Sequence, residues 1–351
     1  MIKKMKMLSV VGVAVATLLA GCGGGGGGDS GFSVGPTSPV VTPPNPASVI
    51  TPERANTIVT SVPATSYSPG SEENAAFVRL NAERRQCGFG LLAQNAQLDA
   101  AAKAHNDYQI VNNIDSHFED QQRFAIGFTG VSAADRAATQ GYTGIGGITD
   151  NYTISIFSAI KTGMGERAMR SLLSAPYHLA ALVDGYRDVG VSVRASTETT
   201  PQGVNPAVFL HVNGAFKTTT GKQLFGTGDI NTYPCDGSIG VNRQLLNESP
   251  NPVPGRDLFR NPIGTAVYIA AREGQTLVLS SVAMTETVTN TPVALRLPVT
   301  TSNDPNGLYR QNEGYVAPDA PLKSLTKYTV MVTGANNGSA FTKTFSFTTG
   351  V

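Results

Sequence analysis

Four histidines are the side chains best suited to chemistry in this chain: His105, His117, His178 and His211. An imidazole can exchange a proton near neutral pH or bind a transition metal through either ring nitrogen. Spacing narrows those uses. No His-Glu-x-x-His pair is present, so a shared metal would need ligands brought from distant parts of the chain. His105 falls on one helical face with Leu98 and Ala102, which predicts a packed, hydrogen-bonding histidine. His211 lies in a strand pattern with no acidic residue near it in sequence, so a structural role is expected there too. His117 and His178 remain, roughly sixty residues apart.

The elements that must carry these residues are legible from caps and periodicity. Ser71 followed by Glu72 and Glu73 predicts a helix start, with Phe77, Leu80 and Arg84 at helical spacing and Gly88 past its end. A second helix is expected from Asn95 to Val111, a short one opens at Ser132 with Asp135 three residues on, and another covers Arg167 to Leu173. Pro176 is expected to break that helix before a turn at 177–183. Alternation then takes over: Val189, Val191 and Val193 predict one strand and 208–212 a second, giving an α-β-α sandwich. After Pro234, strands are expected at 266–271, 277–284, 293–297, 328–333 and 341–348, as in an antiparallel β-sandwich. Gly144-Ile145-Gly146-Gly147 lacks the features of a phosphate loop and is read as a mobile edge loop. Tyr152, Tyr177 and Tyr186 are read as rim or core aromatics.

The amino terminus gives an address. Lys3, Lys4 and Lys6 precede an apolar run from Leu8 to Leu19 that is short for a membrane span and fits a cleavable signal. The run ends in Leu19-Ala20-Gly21-Cys22, which resembles a bacterial lipobox, so residues 1–21 are expected to be removed and Cys22 to carry lipid. Gly23 after the cysteine favours the outer membrane of a Gram-negative cell by the same resemblance. Residues 22–70, with six glycines from Gly23 to Gly28 and then a Pro-rich stretch, read as a tether. Gly28-Asp29-Ser30-Gly31 looks like a serine-nucleophile motif, but a tether offers no rigid base beside it. The formal charge of +1 falls to about −2 once the three signal lysines are gone, and no basic block exists, which argues against nucleic acid as a partner. Cys87 and Cys235 are expected to pair in an oxidising envelope, the alternative being two separate buried thiols.

Longer motifs carry a family resemblance. Asn81-Ala82-Glu83-Arg84-Arg85, then Leu98, Ala101, Ala102 and His105, then Ser116-His117, resemble the opening of the CAP superfamily, also called the SCP domain: cysteine-rich secretory proteins, antigen 5 and pathogenesis-related proteins. Ser174-Ala175-Pro176-Tyr177-His178 and the run from Tyr186 to Val193 resemble the bacterial form's later motifs. The resemblance spans about 71 to 216 and implies a CAP domain over 71–233. Leu322 to Val332 and Phe345 to Thr349 resemble fibronectin and bacterial immunoglobulin-like modules, implying such a sandwich over 234–351. The expected fold class is therefore α+β, a CAP-type α-β-α sandwich followed by an all-β sandwich.

The resemblance also implies a cleft with two histidines and two acids. His117 and His178 fall on the histidine positions, and Asp150 replaces the first glutamate. The second acid is missing: Leu172, Leu173, Ser174 and Ala175 occupy its region, and Glu166 would serve only if its helix were placed differently. His117, Asp150 and His178 could hold a divalent cation such as zinc, with bound water as nucleophile. The favoured expectation is instead an envelope-anchored binding module for a lipid, glycan or peptide, with a metal-assisted peptidase or wall hydrolase as the alternative. Whether the chain is an enzyme stays open at this point. Replacing Cys22 with serine is expected to shift the protein from the detergent phase to the aqueous phase on phase separation. A C22S protein that still partitions with detergent would remove the anchor.

Overall fold

The computed structural model describes residues 57–156, 159–197 and 206–351. The signal segment and the Cys22 attachment point lie outside these residues, as does most of the tether. Residues 57–70, expected to belong to the tether, run without regular structure but lie against the fold: Leu91 N donates to Val59 O at 2.8 Å, and the Tyr67 hydroxyl bonds to Asp99 at 2.5 Å. Short backbone and hydroxyl contacts thus hold a polar segment that sequence composition alone marks as unfolded.

The first half contains α1 (Glu72–Gln86), β1 (Ala93–Gln94), α2 (Ala96–Asn112), α3 (Ala133–Thr139), β2 (Ile145–Ile156), α4 (Met164–Leu172), α5 (Pro176–Val183), β3 (Asp188–Ser196) and β4 (Ala207–Lys217). Caps set these helices. Ser71 accepts the Asn74 N–H at the start of α1, and Ser132 with Asp135 forms a reciprocal capping box on α3. The N-cap of α4 is Gly163, which has no side chain to use, and the Glu72 carboxylate accepts from Gly163 N and Gly165 N instead. The helix expected to stop before Pro176 does so at Leu172, but 177–183, expected as a turn, is helical. Pro176 occupies the first turn of α5, where its missing N–H costs nothing.

The strands β1, β3, β4 and β2 lie in that order in one sheet. Alternation along β4 sends Leu210 and Val212 into a core with Phe77 and Leu80 of α1 and Met169 of α4. Ala215 of the same strand faces the other way, into a core with Leu98 and Ala101 of α2 and Ala137 of α3. Helices therefore cover both sheet faces. Gly190 of β3 makes the α2 contact possible, because a Cβ there would meet the Leu98 backbone carbon at 2.0 Å. The segment 144–147, expected as a mobile loop, instead leads into β2, the edge strand. Gly146 and Gly147 leave room for the Phe216 ring, which any Cβ at either position would strike at 2.6 Å.

The second half is all strand: β5 (Asn231–Tyr233), β6 (Ser238–Val241), β7 (Gln244–Leu245), β8 (Ile263–Gly264), β9 (Val267–Ala270), β10 (Leu277–Glu286), β11 (Val299–Thr300), β12 (Glu313–Val316), β13 (Lys327–Asn336) and β14 (Ser339–Thr349). One sheet runs β10-β13-β14-β6 and a facing one β11-β12-β9-β5, with Val267, Ile269, Val330, Val332, Phe345 and Phe347 packed between them. The fold class is mixed α+β with β-sandwich parts. The Tyr328 hydroxyl accepts from Lys323 N at 2.9 Å, a hydrogen bond that closes the turn entering β13. A strand expected at 293–297 is reduced to a single bridge at Leu295, because Pro292 and Pro298 remove ladder donors on either side.

The two halves are not separately packed. Every residue of β9 is buried: Val267 and Ile269 enter the sandwich core, whereas Tyr268 and Ala270 enter the core containing α1, α4 and α5. Tyr233, Ile263, Tyr309 and Tyr315 join that same helical core. All described residues fall in one compact unit. Cys87 and Cys235 form a disulfide that closes a loop of 148 residues across the junction, worth about 4–5 kcal/mol on the chain-entropy account. Deleting residues 236–351 is expected to leave a chain without cooperative unfolding, since it uncovers the apolar face of the helical core. A truncated protein with native-like far-UV signal and an unchanged melting midpoint would contradict the shared core.

Candidate functional site

Asp150 is the hub of the site, and strand pairing places it. In the β2–β4 ladder Asp150 lies opposite Asn213 and Tyr152 opposite His211, so Asp150 and His211 are diagonal neighbours on one sheet face. His211 Nε2 donates to Asp150 Oδ1 at 2.5 Å. The other oxygen, Oδ2, accepts from His117 Nδ1 at 3.1 Å and from the Arg136 guanidinium at 2.9 Å. Arg136, buried on α3, also donates to the His117 carbonyl at 3.1 Å and so fixes both ends of the His117–Asp150 pair. Burial opposes the charge on Asp150, but the interactions with His211, His117 and Arg136 outweigh it and hold its carboxyl well below the usual range. Within the pair Asp150 keeps the charge. Burial lowers His211 to about 4 against the attraction of Asp150, and its ring is neutral at pH 7.

A second layer supports this hub. Tyr152 stacks on His211 at 5.1 Å, meets His117 edge-on at 4.6 Å, and donates its hydroxyl to Asp115 at 2.6 Å. His105, fully buried, places Nδ1 2.9 Å from Glu119 and Nε2 3.0 Å from the Ser116 carbonyl. Glu119 in turn accepts from Thr129 N and Gly130 N, which secures the loop ahead of α3.

His178 takes a different acid. The N-cap position of α5 is Ala175, which has no side-chain acceptor, and Glu248 from the segment after β7 fills that role. Its Oε1 accepts from Tyr177 N at 2.9 Å, from His178 N at 3.0 Å and from His178 Nδ1 at 3.0 Å. Glu166, the sequence-based candidate for the second acid, is instead paired with Arg170 on α4. No motif around Glu248 marks it, and only the packing of the two halves reveals its role.

His117, Asp150 and His178 line one cavity of about 460 Å³, walled also by Tyr177, Tyr186 and Tyr309. They do not converge as one ligand set. Among the described residues the group of three such side chains whose ligand atoms all lie within 4.8 Å of one another is His105, Asp150 and His211. His117 and His178 each pair with a carboxylate of their own, and Asp150, the partner of His117, also belongs to the buried cluster with His105 and His211. In that cluster both His105 nitrogens already face acceptors and Arg136 donates to Asp150, so a cation would have to displace a guanidinium. The far end of the cavity is self-neutralising, since Arg310 contacts both Asp184 and Glu313 while Lys222 reaches Asp184 at 3.0 Å.

No protein-family model matches the chain, and no curated protein matches it. Solved structures similar to it include an outer surface protein of Borrelia burgdorferi, at 12% identity and a TM-score of 0.32, covering 43% of this chain and 97% of that one. Among the described residues no helix is long and apolar enough to cross a membrane.

The His211–Asp150 pair gives a pH dependence whose sign follows from the lowered His211 value. Between the unfolded value near 6.5 and the folded value of about 4, the unfolded chain binds the extra proton, so stability falls as pH drops through this window. The loss is on the order of 3 kcal/mol. Asp150 adds a further loss below it, as pH falls toward its own lowered value. Urea unfolding at pH 7 and pH 4.5 is expected to show this loss and H211Q to reduce it. An equal pH dependence in wild type and H211Q would refute the assignment.

Proposed function

We propose that this chain is an envelope lipoprotein of the CAP type, anchored through Cys22 in an outer membrane, and that its cleft captures a lipid, glycan or peptide ligand. The order of the sequence motifs supports the CAP reading, together with helices on both faces of the β1–β4 sheet. The observation that carries the binding reading is the commitment of the acids. Asp150 holds three donors across its two oxygens, and Glu248 takes three on Oε1 while its Oε2 is buried without a partner and off the cavity wall, so neither presents a free carboxylate oxygen to the cavity as a general base. Two imidazole edges and three tyrosine rings remain to meet a ligand in a cavity sized for a small molecule or the end of a larger one.

One observation favours the alternative, a metal-assisted hydrolase. Each cleft histidine has a carboxylate behind Nδ1, which is how metal-binding imidazoles are commonly oriented. A zinc ion, if it bound at either ring, would be held through that ring's Nε2 and would supply an acidified water. Calorimetric titration of the purified full chain with sterols, phospholipid vesicles and peptidoglycan fragments is expected to give saturable binding in at least one case. H117A is expected to weaken it by roughly tenfold. Failure of every ligand to saturate would end the binding reading. Stoichiometric divalent metal, with hydrolysis lost in H117A, would install the hydrolase.

A further inference from the structure

The β-rich half does more than border the cleft. We propose that Glu248 is the positioning acid for His178, and that the cavity selects a polyhydroxylated, sugar-like ligand through two imidazole acceptors. The proposal rests on the binding reading above and names the ligand class for the same site.

Tautomer chemistry supplies the first step. In a neutral imidazole one nitrogen carries the proton and the other keeps a lone pair, and the hydrogen bond made by one fixes the other. His117 Nδ1 faces Asp150 at 3.1 Å, and His178 Nδ1 faces Glu248 at 3.0 Å. Both partners are acceptors: Asp150 is held ionised, and Glu248 Oε1 already receives two backbone N–H groups. The proton of each ring therefore sits on Nδ1. Among the described residues no hydrogen bond reaches either Nε2, so both lone pairs are available along the cavity that the two rings line.

Two acceptors on one cavity call for a ligand with several donors. Hydroxyl groups around a sugar ring meet that need, and Tyr177, Tyr186 and Tyr309 on the same cavity add aromatic surface for its C–H groups. An anionic ligand is disfavoured by the same geometry. Lone pairs and the Asp150 carboxylate would repel it, and Arg310, the cation on the cavity wall, is taken by Asp184 and Glu313.

Glu248 makes this arrangement depend on both halves of the fold. It is almost fully buried and lies beyond the Cys87–Cys235 disulfide in sequence, yet it fixes the ring orientation and the first turn of α5. A residue acting only as a helix cap would bond the backbone N–H groups alone; the added contact to the ring nitrogen is what assigns it a positioning role.

The test uses the whole mature chain. Two-bond nitrogen–proton correlation spectra are expected to show His117 and His178 with a protonated Nδ1 and a bare Nε2. Titration with chitotriose, cellotriose and maltotriose is expected to shift both Nε2 signals, with saturable binding of at least one sugar. E248L is expected to abolish the Nδ1–H form of His178, to leave that of His117 unchanged, and to weaken sugar binding by roughly tenfold. E248Q, which keeps an acceptor at Oε1, is expected to retain the His178 form. A proton on Nε2 of His178 in the wild-type protein, or E248L with unaltered His178 signals and undiminished binding, overturns the role of Glu248. If E248L does not fold, the wild-type ring signals and E248Q still decide. Should the sugars fail while phospholipid vesicles or a short peptide bind, the ligand class falls and the binding reading stands; if nothing binds, both fall.

Discussion

Strand β9 is the constraint on which the rest of this structure depends. Its four residues are buried on both sides, with Val267 and Ile269 in the sandwich core and Tyr268 and Ala270 in the helical core. A strand buried on both faces loses the alternation of apolar and polar residues that marks a solvent-facing sheet. It also ties two architectures into one cooperative unit, because neither core is closed without it. The disulfide between Cys87 and Cys235 reinforces the same junction covalently. A composite cleft follows, since the wall formed by Tyr309 and the acid at Glu248 come from the half that holds β9 and β12.

The cleft is governed by buried charges that are matched within the protein. Asp150 and Arg136 form an ion pair at 2.9 Å, and His211 and His117 complete the carboxylate's partners. Breaking such a buried arrangement by removing one member costs more than the pair contributes, because the remaining charge is left without water. Arg84 follows the same logic away from the site. Fully buried, it donates to the carbonyls of Phe89, Gly90, Leu182 and Asp184, and burial lowers its pKa to about 9 despite the nearby Asp184 carboxylate. It thereby joins the end of α1 to the end of α5, the helix that carries His178.

Local signals in the sequence marked local structure. Ser71 and the Ser132–Asp135 box placed helix starts because a cap is an interaction among residues three apart. The alternating valines of 189–193 placed β3 because side-chain direction alternates along any strand. The Cys87–Cys235 pairing followed from counting two remaining cysteines in an oxidising compartment. Where local signals competed, the reading failed. The glycines of 144–147 suggested a loop, but Gly146 and Gly147 are small because the Phe216 ring lies over them. Pro176 marked the end of one helix correctly but also starts the next, because a proline is equally at home in the first turn of a helix, so 177–183 is helix rather than turn.

By itself the sequence determined the paired cysteines, the starts of the capped helices, and three residues of the cleft wall: His117, Asp150 and His178. The tertiary structure alone decided which acid each histidine holds. His211 meets Asp150 through the β2–β4 register, and Glu248 meets His178 across a separation of 70 residues. Neither pairing has a sequence signal, because a hydrogen bond between distant residues depends on the packing of the elements that carry them. Caps and alternation are written in neighbouring residues; partnership across the fold is written only in space.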